Sequence, residues 1–387
     1  MNASERVRVG VVGLGGMGTN HAGNVVDFGH EVVAGTDVVP EIRDAFAAEF
    51  DVPTYETYED MYVREDLDAV IVTTPNKFHE PATVAALECD YDVLCEKPLA
   101  DDLAGAERIA DAAAESEGFC MVGFHNRFST PMTLFKEQQA AGRFGEITHV
   151  EANYVRRRGI PGVGSWFTSK ELAGGGALID IGVHVLDLAL HALEFPEIVE
   201  VTGVTRSDFG GRTDYADPDG FADHWDGDGE TFDVDDSVTA YVRCADGTTI
   251  SLNVSWAANR ATKDDLVVQG TDAGAEFSLH DDALTIFETG TEGGDHYADT
   301  ELTGSLEPAG HAAEDRRFLE AVLAGEAPDI NTVEQGLTVQ RVIDAIYRSS
   351  EDGEAKRLVP IGGVEDESAD DGTDESEPER DAKPSTR

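Results

Sequence analysis

Arg6–Gly18 reads R-V-R-V-G-V-V-G-L-G-G-M-G, and its reading decides the fold. Arg6–Gly13 is a β-rich run that ends in glycine. Gly13, Gly15 and Gly18 then supply the spacing G-x-G-x-x-G, and a helix is expected to about Asp27. A second apolar run, Glu31–Gly35, ends at Thr36-Asp37, nineteen residues past Gly18. The glycine spacing alone says little. Placed after a strand, opening a helix and followed at this distance by an acid at a strand end, it points to a dinucleotide site. Glycines admit a pyrophosphate to the backbone, the helix N-terminus attracts its charge, and the acid takes ribose hydroxyls.

Outward from this stretch the chain alternates. Helices are expected at Pro40–Phe50, Glu80–Glu88 and Asp101–Glu117, the last capped by Asp101 or Asp102. Strands are expected at Asp68–Thr73, Tyr91–Cys95 and Phe119–Val122. Such alternation predicts an α/β fold with a parallel, doubly wound sheet covered on both faces. Ligands bind such sheets at the carboxyl ends of strands. Those ends carry Thr74-Pro75-Asn76 with His79, then Glu96-Lys97, then the segment holding His125 and Arg127.

After about residue 124 the pattern changes. Glu146–Arg157 is a long alternating run. Later runs at Ile198–Thr205, Ser237–Cys244, Thr248–Trp256, Asp265–Gly270 and Ala275–Leu279 are joined by short turns. This predicts a mainly antiparallel sheet, closed by helices at His311–Ala324 and Val333–Ser349. The expected division is 1–124, 125–361 and an acidic, disordered tail over 362–387.

Between the run Glu146–Arg157 and the later strands lies Gly174–Leu193, G-G-G-A-L-I-D-I-G-V-H-V-L-D-L-A-L-H-A-L. It reads as a helix that is apolar almost all round, hence buried. One line breaks the pattern: Asp180, His184, Asp187 and His191, which share a face at helical spacing. Buried ionisable groups are costly unless paired or facing a polar cavity. A core histidine with an aspartate partner and an acid/base pair lining a pocket both satisfy that condition.

The chain carries 78 acids against 28 bases, a net charge of −50. The stretch 365–387 holds ten acids and three bases, so −43 is spread over the rest. A distributed acidic coat suits an extreme halophile, and it makes nucleic acid an unsuitable partner. The sequence has no run of eighteen apolar residues and its N-terminus lacks a signal-peptide core, so a cytoplasmic protein with no membrane partner is expected. Cys89, Cys95, Cys120 and Cys244 match no zinc spacing, and no metal is expected. The acidic segment Asp226–Glu230 departs from the EF-hand pattern at Thr231 and Ser237, and a surface loop is expected there.

G-L-G-G-M-G after the first strand, T-P-N-x-x-H at Thr74–His79, E-K-P at Glu96–Pro98 and G-G-G-x-L-x-D-x-G-x-H-x-x-D from Gly174 to Asp187 together resemble the glucose–fructose oxidoreductase/inositol dehydrogenase (Gfo/Idh/MocA) family, over about Arg6 to Val359. The resemblance implies an N-terminal Rossmann domain and a C-terminal α/β domain with an open, mostly antiparallel sheet. That sheet would form a homo-oligomer, a dimer or tetramer. The implied activity is NAD(P)-dependent oxidation of a sugar, inositol or related polyol. Lys97 would touch nicotinamide and substrate, Asp180 would orient the substrate, and His184 would accept the proton. Gly13, Gly15, Gly16, Met17, Gly18, Asp37, Thr74, Pro75, Asn76, His79 and Glu96 would line the cofactor. Asp37, followed by Val38 and not by an arginine, favours NAD over NADP.

The chemistry is consistent without the family. Oxidising an alcohol releases a hydride and a proton. A histidine suits proton acceptance near neutral pH, and an ammonium stabilises the developing alkoxide. Arg156 and Arg158, on one face if the run is a strand, precede a glycine loop and Trp166. They could bound the substrate pocket or pair with acidic neighbours. Two other functions use the same residues: glycoside hydrolysis through transient oxidation by bound NAD, and cofactor binding without catalysis.

Overall fold

The computed structural model describes residues 6–218, 220 and 232–359. The Asp226–Glu230 segment and the tail 362–387 lie outside the described residues.

The first half winds as β1 (Arg8–Val12), α1 (Gly16–Asp27), β2 (Glu31–Thr36), α2 (Pro40–Phe50), β3 (Thr54–Tyr55), α3 (Tyr58–Arg64), β4 (Ala69–Val72), α4 (His79–Leu87), β5 (Asp92–Glu96), α5 (Leu103–Glu115) and β6 (Cys120–Gly123). These strands form one six-stranded sheet in the order β3-β2-β1-β4-β5-β6, parallel throughout. The strand order reverses between β1 and β4, which opens a crevice at their carboxyl ends. β4 is Ala-Val-Ile-Val, buried on both faces, which is why its sequence is a continuous apolar run rather than an alternating one. Of the two candidate caps, Asp102 caps α5: its carboxylate accepts the Gly105 N–H at 2.7 Å.

The second half continues with α6 (Thr130–Ala140), β7 (Ile147–Val155), α7 (Lys170–Ala173), a π turn at Leu178–Gly182, α8 (Val183–Ala192), β8 (Ile198–Arg206), β9 (Ser237–Cys244), β10 (Thr249–Ser255), β11 (Asp265–Gly270), β12 (Gly274–Ser278), β13 (Ala283–Phe287), β14 (Thr289–Gly290), β15 (His296–Tyr297), β16 (Thr300–Thr303), α9 (Gly310–Ala324), α10 (Val333–Asp352) and β17 (Lys356–Arg357). Nine of its strands form a sheet in the order β16-β13-β12-β11-β7-β10-β9-β8-β17. Every pairing is antiparallel except the central β7–β10 pair, which is parallel. Along β9 buried and exposed residues alternate, with Thr239, Tyr241 and Arg243 on the open face. The helical stretch Lys170–Ala192 is long and apolar enough to span a bilayer, yet 83% of its apolar window is buried inside the protein, as expected of a core helix.

Two features depart from the sequence reading. β7 stops at Val155, so Arg156–Arg158 do not lie on a strand. The closing helices also return to the first sheet: Phe318 and Leu319 of α9 pack with Val9, Val11, Ile71, Leu94 and Met121. The Val122 N–H donates to the Asn331 carbonyl at 2.8 Å. The Rossmann layer is therefore completed by residues far beyond 124.

Candidate active site

β1 delivers the chain to Gly13, whose φ of +90° suits glycine, and a Cβ there would lie 2.9 Å from the Thr73 backbone. At Gly15 and Gly16 an added Cβ would meet nothing within 4 Å among the described residues. The loop is thus tight against β4 on one side and open on the other, at the N-terminus of α1. That open cradle fits a dinucleotide pyrophosphate. The Asp37 carboxylate, at the end of β2, accepts the N–H of Leu14 at 3.0 Å and of Val39 at 2.8 Å. Arg43, which the sequence reading passed over, donates to the Asp37 carbonyl at 2.6 Å.

The ends of β4 and β5 frame the next part. A cavity at the crevice is lined by Met17, Thr73, Thr74, Lys97, Trp166 and Asp180, with Asn76, His79 and Glu96 also on its wall. Pro75 leads into a short turn, Asn76–Phe78. The Asn76 side chain donates to the Ala173 carbonyl at 2.9 Å, pinning this turn to α7. His79 is enclosed between the carbonyls of Pro98 and Thr74, at 2.7 and 2.8 Å. It therefore braces both strand ends. Burial pushes its imidazole below the usual range.

Across the cavity stands the helix that carries Asp180. Its opening N–H groups are capped from afar. The Asp235 carboxylate accepts from Gly176 at 2.8 Å and Leu178 at 3.0 Å, and the Tyr347 hydroxyl donates to it at 2.8 Å. Gly176 has no room for a side chain, since a Cβ would come within 1.8 Å of the Asp235 carbonyl. The helix is widened into a π turn at Leu178–Gly182, a distortion often found at functional sites. Asp180, in this turn, accepts the Trp256 indole N–H at 2.9 Å. Lys97 Nζ lies 3.1 Å from the Asp180 carbonyl and 3.6 Å from its carboxylate.

His184 follows in the first turn of α8. Its Nδ1 is buried with no hydrogen-bond partner among the described residues, as is that of His125. The two rings meet edge to face at 5.2 Å between centroids, and His125 stacks on His311 at 3.6 Å. Burial first, then the charges of Lys97, His125, His311 and Arg156, hold His184 well below the usual imidazole range. Burial and His311 push His125 down to about 3. His184 is thus an uncharged base at neutral pH.

The remaining candidates divide. Trp166 lines the cavity and stacks on Phe167 at 3.8 Å, so the W-F pair forms one aromatic wall. Arg156 lies over the Tyr154 ring, 5.0 Å to its centroid, and bonds its hydroxyl at 3.0 Å. Arg158 is a staple, donating to the carbonyls of Ala216 at 2.8 Å and Ala258 at 3.2 Å. Arg127 does not face the cavity. It is buried, and its Nε lies 3.1 and 3.0 Å from the two Asp187 carboxylate oxygens. Asp187 accordingly leaves the line it was expected to share with Asp180 and His184. Sequence reading missed Asp235, Trp256 and His311, which act from distant segments with no motif to mark them.

Residues 7–124 match the family model described as an oxidoreductase family with an NAD-binding Rossmann fold, and residues 132–276 match the Gfo/Idh/MocA C-terminal domain. D-glucoside 3-dehydrogenase of Escherichia coli K12 is 33% identical over 296 residues, 74% of this chain and 78% of that protein. The NADP-dependent D-xylose 1-dehydrogenase 2 of Haloferax volcanii is 27% identical over 357 residues, 90% of this chain and 99% of that protein. A solved levoglucosan dehydrogenase, in complex with NADH and levoglucosan, matches with a TM-score of 0.78 at 22% identity, covering 91% of this chain and 99% of that one. At that identity the likeness speaks for the fold. With both family models matched, the glycine cradle formed and the two sheets arranged as they are, the chain belongs to the Gfo/Idh/MocA family of NAD-binding oxidoreductases that act on CH–OH groups.

Proposed function

We propose that the protein oxidises a secondary alcohol of a sugar, inositol or related polyol, with His184 as general base. The observation that carries this reading is the meeting of Lys97 and Asp180 across the crevice, 3.6 Å apart, on the helix that bears His184, whose Nδ1 is buried without a hydrogen-bond partner among the described residues. Bound NAD supplies the hydride acceptor. Lys97 binds the reacting hydroxyl and stabilises its oxygen as the proton departs. His184 takes that proton, and its uncharged state at neutral pH leaves its lone pair available. Asp180, held by Trp256, accepts a hydrogen bond from a second hydroxyl and sets the ring's orientation. Trp166 and Phe167 offer an apolar face to the sugar and keep water out.

The open face of the nine-stranded sheet, with Tyr241 and Val204 exposed, supports a homo-oligomer built through this sheet. The net charge of −50 supports work in a salt-rich cytoplasm. The test is a panel of glucosides, inositols and pentoses with NAD in molar KCl, followed by NADH absorbance. Net NADH formation on at least one polyol is expected. Glycoside cleavage without net NADH, or no turnover on the whole panel, would refute the dehydrogenase reading.

A further inference from the structure

Behind the lysine lies a buried group that the proposed reaction does not use. His21, on α1, is fully enclosed. Its Nδ1 lies 2.6 Å from Asp315 Oδ1 on α9, and its Nε2 lies 3.2 Å from Glu96 Oε1 at the end of β5. The second oxygen of each carboxylate is also engaged by a donor. Asp315 Oδ2 accepts the Asn24 side-chain amide at 2.6 Å, and Glu96 Oε2 accepts the Lys97 backbone N–H at 3.0 Å. Each carboxylate thus already accepts from one donor, and its other oxygen faces a ring nitrogen of His21. Against two ionised carboxylates both ring nitrogens donate, which only the imidazolium can do.

The charges alternate from one neighbour to the next: Asp315 negative, His21 positive, Glu96 negative, Lys97 positive, Asp180 negative. The series joins the returning helix α9, the cofactor helix α1, the strand end and the π turn across the cavity. We propose that His21 is a permanently protonated positioning residue for Lys97: it engages the Glu96 carboxylate so that the lysine ammonium stays at Asp180 instead of turning back on Glu96. The inference rests on reading Lys97 as the group that holds the substrate hydroxyl.

Other groups face the same place. The His311 ring meets His21 edge to face at 5.8 Å, and its Nε2 is 4.0 Å from Glu96. Glu314 is enclosed next to Asp315, and burial followed by the charge of Glu96 pushes its carboxyl up. Lys97, on the cavity wall, and His125 also act on Glu96. Burial by itself would strip His21 of its proton, but Asp315 and then Glu96 outweigh it. Burial likewise works to raise Glu96, yet His21, with Lys97 and His125, draws it down to about 2.

The test uses the full chain with NAD in molar KCl and methyl β-D-glucoside as the probe substrate. His21→Gln should lower kcat by roughly 10–100-fold with little change in KM, the scale expected for misplacement of a reacting group. Asp315→Asn, two links from the lysine and gentler on the fold, should act in the same direction. In a Lys97→Met background His21→Gln should change kcat less than about 2-fold, because the interaction it serves is already gone. Without substrate, the Lys97 ε-carbon resonance in ¹³C-lysine-labelled protein should move in both variants. Parent-like kcat with an unmoved resonance overturns the inference, and so does an equal loss of kcat in both backgrounds. If the probe is not turned over, or His21→Gln does not fold, the resonance in Asp315→Asn decides. If Lys97→Met itself retains parent kcat, the reading of Lys97 fails instead, and the resonance still reports on His21.

Discussion

The Lys97 ammonium lies 3.1 Å from the main-chain carbonyl of Asp180, so a parallel strand of one sheet is joined to the π turn of a helix that packs on the other. Both side chains remain partly exposed, at 18% and 15%. That combination is what a site needs: each group holds the other in place while an edge stays free for a ligand. A surface pair of the same length would contribute little.

Acid should destabilise this protein through its histidines. Burial, foremost, depresses His184, His125 and His191, the last two to about 3. Below the unfolded value of about 6.5 the unfolded chain takes up protons that these three refuse. Stability then falls with falling pH, by about 1.4 kcal/mol per unit for each group. His21 is raised, so it contributes no slope in that range; its contribution is lost only as pH rises through its folded value. His79, His311 and His30, lowered first by burial, add to the same slope. Melting temperature should drop between pH 6.5 and pH 5, and His191→Gln, outside the site, should flatten the drop by its own share, about 1.4 kcal/mol per pH unit. A slope untouched by that substitution would contradict the assignment.

Asp187→Asn and Arg127→Leu should damage the fold more than the chemistry. Both partners are inside, at 0% and 1% exposure, and removing one leaves a buried charge. The expected cost is about 3–5 kcal/mol for either single variant, read by chemical denaturation. The double variant Arg127→Met/Asp187→Leu should recover much of it. Singles that melt like the parent would show that the pair is dispensable.

Much of this was legible from residue order. Gly13, Gly15 and Gly18 followed by Asp37 carry a local, chemically constrained signal, and alternation of apolar runs with helices carries the rest of the first sheet. Asp180 and His184 stood out because an apolar helix should not bear them without reason. Asp187 looked the same from sequence, and only the fold reveals Arg127, sixty residues away, as its partner. Helical spacing assumes a regular turn, whereas the π turn at Leu178–Gly182 intervenes. His21, Asp235, Trp256 and His311 were illegible because each acts through a contact between distant segments.

NAD should be preferred over NADP. The Asp37 carboxylate would repel a 2′-phosphate, and its two backbone bonds fix it at the end of β2. Asp37→Ala should narrow the gap in kcat/KM between the two cofactors, since Arg43 remains beside the vacated place. Adding Arg43→Ala should then lower NADP use again. A parent enzyme that prefers NADP would contradict this account.

Salt should be required. Charge is distributed as −43 outside the final stretch, so repulsion is not confined to the end of the chain. Screening length falls from about 10 Å at 0.1 M to about 3 Å at 1 M. Melting temperature and activity should therefore fall together on dilution from molar KCl into millimolar salt. A melting temperature that holds steady would rule out this dependence.

The three central substitutions should separate by kinetic parameter. His184→Asn removes the base while keeping a polar side chain of similar reach. Positioned general-base catalysis contributes typically ~10²–10⁴-fold, so kcat should fall by about that factor with NADH affinity nearly intact. The acid limb of kcat/KM in the parent should lie below 6.5, because burial and then Lys97 depress His184, and protonation silences it only at lower pH. Lys97→Met should be comparably damaging, since it removes the charge that meets the forming alkoxide and also frees Asp180. Asp180→Asn should act more on KM, because the amide still accepts from Trp256 but binds a hydroxyl less firmly. Trp256→Phe should reproduce a weaker form of that change by loosening Asp180 without touching substrate. Each variant must first show parent-like melting, as a buried group left unpaired could imitate a catalytic loss. A folded His184→Asn enzyme that keeps near-parent kcat on its best substrate would reduce this helix to core packing and send the search for the base elsewhere.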